Sequence, residues 1–330
     1  MTDALVLRQD LSLALEQRVV SFPEDGQALI AIEFAGVCGS DLHVLATGDW
    51  VTTWPAVLGH EIIGIVEQCP GGEFTPGDRV VVDSRVPCGE CIGCGRSANL
   101  CENLAWVGEI VPGGYQRYAV LDVRLLHRCS EDLDPHVGVL AEPLAVAMHG
   151  VNRLSEIPES VLILGYGPIG ALVHAELEQR SPGSRIAVRE PHSGRRKLAS
   201  SFGAIPTSND TRWPLVIDAA GYSTSLADAI ELTRHGGEIL AIAIPHTPVE
   251  IDAQALVERS IRLVGSVGFD DELPHAIDRL ASNPDRYRPL ISEMVSLSRA
   301  AHRLPTLTSD QSAGKVVISL APEIADGMRA

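Results

Sequence analysis

Short apolar runs alternate with helical patterns through the second half of the chain. Five runs are strand-like, at Val161–Leu164, Arg185–Glu190, Leu215–Asp218, Ile239–Ile244 and Ile261–Val264. Two segments with helical spacing, residues 227–235 and 252–260, separate the later runs. Alternation of strands with helices is typical of a parallel, doubly wound α/β sheet, so this half of the chain is predicted to have that fold.

A glycine-rich turn follows the first of these runs. Gly165, Gly167 and Gly170 form a G-x-G-x-x-G pattern between Val161–Leu164 and a helical segment. The pattern is weak by itself, but between a strand and a helix it is the dinucleotide-binding fingerprint. Glycines let backbone amides approach a pyrophosphate at the helix N-terminus, where the dipole favours anions.

An acid at the end of the second run bears on the choice of nucleotide. Glu190 lies 20 residues after Gly170. A carboxylate at this point accepts hydrogen bonds from ribose hydroxyls and repels a 2′-phosphate, which favours NAD over NADP. Arg189 and Arg195 flank this acid and could soften the preference, and a solvated acid at a strand end is the alternative interpretation of Glu190.

Length and charge limit the kinds of partner. With 330 residues the chain can form two domains. Its formal net charge is −17 and it has no run rich in Lys or Arg, so neither a nucleic acid nor an anionic membrane is an expected partner. The N-terminus does not resemble a signal peptide, and no stretch reaches the roughly 18 apolar residues of a spanning helix. We therefore expect a cytoplasmic protein, in which clustered cysteines bind metal more often than they pair.

Four of the seven cysteines lie close together. Cys88, Cys91, Cys94 and Cys101 are spaced as C-x2-C-x2-C-x6-C. Closely spaced cysteines let thiolates converge on one tetrahedral ion, and a four-cysteine site has no open position for substrate. We predict a structural zinc site, since the alternative, a thioredoxin-like redox pair, fits four thiols poorly.

A second set of possible ligands is chemically mixed. It comprises Cys38, His60, Glu61 and Glu142. Three protein ligands and one exchangeable position are typical of a catalytic zinc. Taken singly, each residue has a structural alternative: a small buried side chain, a core histidine or a salt-bridged acid.

The order of these motifs resembles a known family. Cys38-Gly-Ser-Asp41, Gly59-His60-Glu61, Gly77-Asp-Arg-Val80, the cysteine cluster and Glu142-Pro-Leu144 occur as in the zinc-containing medium-chain alcohol dehydrogenases. Within that family, the chain looks like the polyol branch, which includes sorbitol, 2,3-butanediol and 2-deoxy-scyllo-inosamine dehydrogenases. Sorbitol dehydrogenases carry arginine where this chain has Gly268, so sorbitol itself is not the expected substrate.

The resemblance implies a domain plan. Residues 1–148 and 284–330 would form a GroES-like, mainly β catalytic domain with a structural zinc lobe at 88–101. Residues 149–283 would form a Rossmann domain that binds NAD(P). The family habit also implies a homodimer or homotetramer.

The resemblance further implies roles for single residues. Cys38 and His60 would hold the catalytic zinc, with Glu61 or Glu142 as a further ligand, and Zn²⁺ would bind twice per chain. Asp41 would orient the ligand histidine, and Ser40 and His43 would carry the proton. The expected nucleotide contacts are Gly165, Gly167, Pro168, Ile169, Gly170, Glu190, Arg195, Ile242, Ile244, Ser266 and Val267.

The implied reaction is hydride transfer between NAD and a secondary alcohol of the polyol, cyclitol or aminocyclitol type. Trp50, Trp106 and Glu109 are expected to line the substrate pocket. Ordinary packing is the alternative for the tryptophans, and a surface acid is the alternative for Glu109. An NADPH-preferring aldehyde or ketone reductase and a non-catalytic nucleotide-binding relative remain as alternative functions.

Overall fold

The chain divides into two compact units. A computed structural model describes residues 1–207, 211–307 and 312–320. One unit comprises residues 1–142 and the chain from 273 onward, and the other comprises residues 143–272. The expected domain limits, 148 and 284, stay a prediction, and parts of the expected segment 284–330 lie outside the described residues.

Strands predominate in the first unit, whereas strands and helices alternate in the second. The strands are β1 (Thr2–Leu7), β2 (Leu13–Arg18), β3 (Gln27–Gly36), β4 (Glu61–Gln68), β5 (Arg79–Val82), β6 (Arg85–Val86), β7 (Ala105–Trp106), β8 (Tyr118–Asp122), β9 (Leu126–Arg128), β10 (Ser160–Leu164), β11 (Arg185–Arg189), β12 (Ile205–Pro206), β13 (Trp213–Asp218), β14 (Thr233–Ala241), β15 (Arg262–Gly265), β16 (Ile291–Ser296) and β17 (Lys315–Ser319). The helices are α1 (Gly39–Thr47), α2 (Pro135–Gly138), α3 (Ala141–Asn152), α4 (Pro168–Arg180), α5 (Ser193–Ser201), α6 (Ser225–Leu232), α7 (Ala253–Glu258), α8 (Glu272–Ser282), α9 (Pro284–Tyr287) and α10 (Leu297–Arg303). None of these described helices is long and apolar enough to cross a membrane.

The first unit is built on a seven-stranded sheet. Its order is β16-β17-β3-β4-β5-β9, with β8 also paired to β3. Strand β3 alternates half-buried and buried residues along most of its length, the period of a strand with one face on the core. Val317 of β17 and Glu61 of β4 are both register partners of Gly36, so the closing strand and β4 meet at the end of β3.

The second unit is a six-stranded parallel sheet. Its order is β12-β11-β10-β13-β14-β15. The order reverses between β10 and β13, and ligands of open α/β sheets bind at such a switch point, beyond the carboxyl ends of the strands. The predicted doubly wound sheet is therefore confirmed.

Strand β14 differs from the prediction at both ends. The predicted helix 227–235 ends at Leu232, and Thr233 begins the strand. A β-branched residue favours the strand, and Thr233 pairs with Trp213 of β13. The strand predicted to reach Ile244 stops at Ala241, because the amides of Ile242 and Ala243 both donate to the carbonyl oxygen of Asp218, at 3.0 and 3.1 Å.

Candidate metal centres and cofactor site

Cys38 immediately precedes helix α1. Its backbone N–H donates to Oδ2 of Asp41, at 2.8 Å, so the acid in the first turn of the helix fixes the residue before it. This is half of a capping box, and a carboxylate at a helix N-terminus is also favoured by the helix dipole. The position of the Cys38 thiol is therefore set by the start of α1.

Asp41 connects this helix start to the chain before β4. Its carboxylate also accepts from the Gly59 amide at 3.2 Å and from the Tyr115 hydroxyl at 2.8 Å, and Oδ1 lies 3.6 Å from Nδ1 of His60. Burial alone would raise the pKa of Asp41, but the charge of His60 and these hydrogen bonds hold it below its ordinary value. The ionised carboxylate is in the position of an acid that orients a ligand histidine.

Three predicted ligands of the catalytic zinc come together. Cys38, His60 and Glu61 each place a ligand atom within 4.8 Å of the others. Glu61 is fully buried, and its Oε2 has no hydrogen-bond partner among the described residues. A buried carboxylate oxygen without a partner is costly, and a cation offsets that cost. Thiolate, imidazole and carboxylate are all zinc ligands, so this site fits Zn²⁺.

Glu142, the fourth predicted ligand, is not part of this cluster. It is the second residue of α3, and its Oε1 accepts a hydrogen bond from Ser84 Oγ at 2.8 Å. Burial raises the pKa of Glu142 to about 7, with a further upward shift from Glu61, while His60 and Lys315 lower it. Its charge therefore interacts with the cluster, although its carboxylate is hydrogen-bonded elsewhere.

Sequence reasoning did not find the cation beside the cluster. Lys315 of β17 is 1% exposed, and its Nζ donates to Glu61 Oε1 and, at 3.1 Å, to the carbonyl oxygen of Val37. The charge of Glu61 keeps the pKa of Lys315 above its usual value despite burial, which acts in the opposite direction. The one indication in the sequence was a lysine at the start of a mainly apolar strand. Tyr115 and Ser84 gave no signal of this kind.

The predicted proton carriers lie on α1. Ser40 is its second residue and is half-buried. His43 lies one turn further, and its Nε2 is 3.3 Å from Oδ2 of Asp49, whose side chain is 62% exposed. The ring of His43 packs on Trp50, with 4.6 Å between the ring centroids. An imidazole in contact with an exposed acid can exchange protons with solvent.

Glu109 follows β7, whose last residue is Trp106. The amides of Glu109 and Ile110 both donate to the carbonyl oxygen of Trp106, at 3.2 Å. The turn packs against the chain that carries His60, because a Cβ on Gly108 would lie 3.1 Å from the Gly59 nitrogen. Partial burial raises the pKa of Glu109 to about 7; among its charged neighbours, His60 lowers this pKa and Asp41 raises it.

The four clustered cysteines converge on one point. Their ligand atoms lie within 4.8 Å of one another, and Sγ of Cys94 is 3.5 Å from that of Cys91 and 3.7 Å from that of Cys88. Zn–S bonds of about 2.3 Å place the sulfurs of a tetrahedral site about 3.8 Å apart. The Cys88 amide donates to Cys101 Sγ, the Gly89 amide to Cys94 Sγ and the Cys94 amide to Cys91 Sγ, at 3.3 to 3.4 Å. The convergence of the four sulfurs at this spacing makes Cys88, Cys91, Cys94 and Cys101 the structural zinc site.

The glycine turn of the second unit is sterically required. Gly165 has a φ of +82°, and a Cβ there would lie 2.8 Å from Cα of Ala220, just beyond β13. A Cβ on Gly170 would lie 2.3 Å from the Gly165 carbonyl oxygen. Gly167 is the N-cap of α4, Pro168 and Ile169 are its first two residues, and the Arg195 guanidinium lies 3.7 Å from the position of a Cβ on Gly167. The turn thus leads the chain from β10 directly into a helix N-terminus, which suits a pyrophosphate.

Glu190 is tied to this turn. It follows β11, is 6% exposed, and accepts hydrogen bonds at 2.8 Å from the amides of Tyr166 and His192. Two lone pairs on each oxygen leave acceptor capacity for ribose hydroxyls. Glu190 is therefore not a solvated acid at the end of a strand, which was the alternative interpretation of this residue.

The residues expected beside the nicotinamide lie after β14 and β15. Ile242 is buried, whereas Ile244 and Val267 are 54% and 46% exposed. Ser266 Oγ is buried without a hydrogen-bond partner among the described residues. These residues are close in sequence to strand ends at the ligand-binding edge of the sheet.

A buried polar group that the sequence did not reveal holds the loop after β15. Glu272 begins α8, and its Oε1 accepts from Asn152 Nδ2 at 2.7 Å and lies 3.0 Å from His149 Nδ1. Its Oε2 accepts from the Asp270 amide at 2.6 Å. The loop carrying Ser266 and Val267 is thereby fastened to α3 at its far end.

The Lys315–Glu61 pair yields a stability prediction. Lys315→Met keeps the length of the side chain but leaves the Glu61 carboxylate buried without its cation, so we expect the metal-depleted protein to lose about 3–5 kcal/mol of unfolding free energy in urea. Adding Glu61→Gln to Lys315→Met should recover part of the lost unfolding free energy. Lys197, the other lysine of the chain, is exposed, and Lys197→Met should cost less than about 0.5 kcal/mol. Equal losses of unfolding free energy in Lys315→Met and Lys197→Met would contradict the prediction.

The cysteine lobe offers a matched pair of glycines. A Cβ on Gly93 would lie 1.7 Å from the Leu100 carbonyl oxygen, whereas one on Gly95 would have its nearest neighbour at 3.5 Å. We expect Gly93→Ala to displace the chain before Cys101 and weaken zinc retention by about 10-fold or more, measured as zinc released to a chromogenic chelator. Gly95→Ala should release zinc as the unaltered protein does. Identical release curves for the two variants would refute this account of the lobe.

Comparison with known proteins relates both units to dehydrogenases. Family models match for the alcohol dehydrogenase GroES-like domain, over residues 24–131, and for zinc-binding dehydrogenases, over residues 180–282. The 2-dehydro-3-deoxy-L-galactonate 5-dehydrogenase of Pseudoalteromonas atlantica is 31% identical over 296 residues, which cover 84% of this chain and 86% of the relative. The D-altritol 5-dehydrogenase of Agrobacterium fabrum is 28% identical, with 88% of this chain and 91% of the relative covered.

A solved structure gives the same result. A zinc-binding dehydrogenase of Sinorhizobium meliloti bound to NADP has a TM-score of 0.89 and 26% identity, covering 97% of this chain and 99% of that chain. Together with the 31% identity to the Pseudoalteromonas enzyme, this confirms the expected fold and family. The chain belongs to the zinc-containing medium-chain alcohol dehydrogenase family and is a zinc-dependent, NAD(P)-linked alcohol dehydrogenase.

Proposed function

We propose that the protein oxidises a secondary alcohol of the polyol, cyclitol or aminocyclitol type with NAD as the hydride acceptor. The observation that carries the proposal is the cluster of Cys38, His60 and Glu61, of which Cys38 and His60 are half-buried and Glu61 is buried. One relative supports the substrate class, since the Agrobacterium enzyme is named for a polyol. Family resemblance also supports assembly as a homodimer or homotetramer.

The first unit would bind the metal and handle the proton. Zinc, when bound, lowers the pKa of a substrate hydroxyl, and nicotinamide accepts the hydride. Cys38 and His60 would hold the ion together with Glu61 or Glu142, and Asp41 would keep the His60 ring in the ligating orientation. Ser40 would pass the hydroxyl proton towards His43, which exchanges it with solvent beside Asp49.

The second unit would bind and select the nucleotide. The turn of Gly165, Gly167 and Gly170 leaves room for the pyrophosphate at the start of α4. Glu190 would accept hydrogen bonds from the ribose hydroxyls and disfavour a 2′-phosphate. The second zinc would bind the cysteine lobe and keep it folded, without contacting substrate.

One observation favours a second candidate, an NADPH-preferring aldehyde or ketone reductase. Arg195 follows Glu190, the acid assigned to the ribose, by five residues and carries a guanidinium that can pair with a 2′-phosphate, and the Sinorhizobium relative is bound to NADP. The two candidates differ in the preferred nucleotide and in the direction of the reaction. Absorbance at 340 nm, recorded with NAD⁺ and with NADPH against a panel of polyols and their ketones, separates them.

Cys38 provides the test of the zinc reaction. Cys38→Ala removes a ligand from this cluster, so turnover should fall by more than about 100-fold. The control is Cys129, which is half-buried in the same unit and belongs to neither metal site. Cys129→Ala should retain most of the activity. Metal analysis should find one zinc fewer in the first variant only. Full turnover by Cys38→Ala would refute the mechanism.

The nucleotide preference has a test with two opposed variants. Glu190→Gln removes the negative charge while keeping an acceptor, so kcat/KM for NADP should rise relative to NAD by about 10-fold. Arg195→Ala should shift the ratio in the opposite direction. If the unaltered protein prefers NADPH, and Arg195→Ala abolishes that preference, the reductase candidate replaces the proposed one.

A further inference from the structure

Glu109 occupies an unusual electrostatic position in the first unit. Its turn is anchored on both sides: the Val107 amide donates to the Ser84 carbonyl oxygen at 2.8 Å, and Gly108 packs against the backbone of Gly59. Gly59 immediately precedes the ligand His60. The backbone therefore holds this acid beside the metal cluster rather than on a freely moving loop.

The carboxylate of Glu109 is without a protein partner among the described residues. In the three described stretches of the chain, no hydrogen bond or ion pair involving it is formed, and its charged neighbours are His60 and Asp41. His60 has Asp41 as a nearer charged neighbour, with Nδ1 3.6 Å from Asp41 Oδ1, and is itself a member of the metal cluster. Partial burial disfavours the ionised form of Glu109, and a cationic ligand in contact with the carboxylate would offset that cost.

The charges around the cluster leave no excess of positive charge for an anionic substrate. The formal charges cancel among Zn²⁺, the Cys38 thiolate, Asp41, Glu61 and Lys315. The ionised carboxylates of Glu109 and Glu142 both add negative charge to this neutral set, and the chain as a whole carries −17. Such a site repels a carboxylate-bearing sugar acid and attracts a cation.

We propose that Glu109 is a specificity-determining residue that binds the ammonium group of an amino-substituted polyhydroxy alcohol and discriminates against sugar acids. The inference rests on the proposed function and narrows its substrate class. It distinguishes this chain from the Pseudoalteromonas relative, which is named for a sugar acid. A carboxylate accepts a stronger hydrogen bond from an ammonium group than from a neutral hydroxyl group, because both partners are then charged.

Three matched substrates test the proposal: a cyclitol, its amino-deoxy analogue and an aldonic acid of similar size, each with NAD⁺. We expect kcat/KM to fall about 10-fold from the amine to the neutral alcohol, and at least as much again to the acid. Glu109→Gln should raise KM for the amine about 10-fold or more, with little change in kcat. It should also reduce the difference in kcat/KM between the amine and the acid. Glu109→Asp, which keeps the charge, should retain part of the preference.

Two controls isolate the effect. Glu67 is exposed at the end of β4, and Glu67→Gln changes the net charge equally, so it should leave all three KM values unchanged. Zinc content should be the same in Glu109→Gln as in the unaltered protein; loss of one zinc would make Glu109 a metal ligand and overturn the proposal.

Binding without turnover separates this inference from the proposed function. Tryptophan fluorescence, titrated with the amino-polyol in the absence of nucleotide, should give a Kd about 10-fold weaker for Glu109→Gln. If no substrate yields NADH but this difference in Kd is present, the proposed reaction fails and the role of Glu109 stands. If the unaltered enzyme oxidises the acid as efficiently as the amine, or the variant leaves Kd and KM for the amine unchanged, the role of Glu109 is refuted.

Discussion

The first unit depends on an ion pair that is fully removed from solvent. Lys315 and Glu61 are 1% and 0% exposed, and they belong to strands that both meet the end of β3. Two buried charges are tolerated only as a pair, so the closing strand and the ligand-bearing strand must be in register for either charge to be stable. The same contact that completes the sheet therefore also holds the carboxylate of the metal cluster. Gly36 supports it, because a Cβ there would lie 1.9 Å from Glu61 Oε2.

Asp41 holds the other two residues of the cluster, Cys38 and His60, in position, as Lys315 holds Glu61. Its carboxylate fixes the amide before α1, which positions Cys38, and the segment before β4, which positions His60. Tyr115 adds a third contact from a distant part of the chain. Because these partners satisfy Asp41 without metal, the two candidate ligands, Cys38 and His60, are held in place by the protein itself, which would reduce the binding free energy lost in ordering them around an ion.

The sequence predicted local features well and long-range partners poorly. The glycine turn, the cysteine spacing and the doubly wound sheet are encoded in segments of fewer than about 20 residues, where period and spacing carry the information. Lys315 and Glu61 are 254 positions apart, and no local pattern specifies that pairing. The group formed by His149 and Glu272 was missed for the same reason, with 123 positions between them. The end of α6 was misjudged because pairing of Thr233 with β13 outweighed the helical pattern, a tertiary effect that propensity does not contain.

The two acids Glu61 and Glu142 differ in a way that bears on their roles. Glu61 has the Lys315 ammonium at one oxygen, and its second oxygen has no hydrogen-bond partner among the described residues. Glu142 has a hydroxyl donor and no cation of its own, and burial raises its pKa to about 7. A divalent ion bound by Cys38, His60 and Glu61 would lower that pKa and favour the ionised form of Glu142. Lys315 makes the two carboxylates inequivalent, because its ammonium hydrogen-bonds Glu61, whereas Glu142 is hydrogen-bonded by the neutral hydroxyl of Ser84.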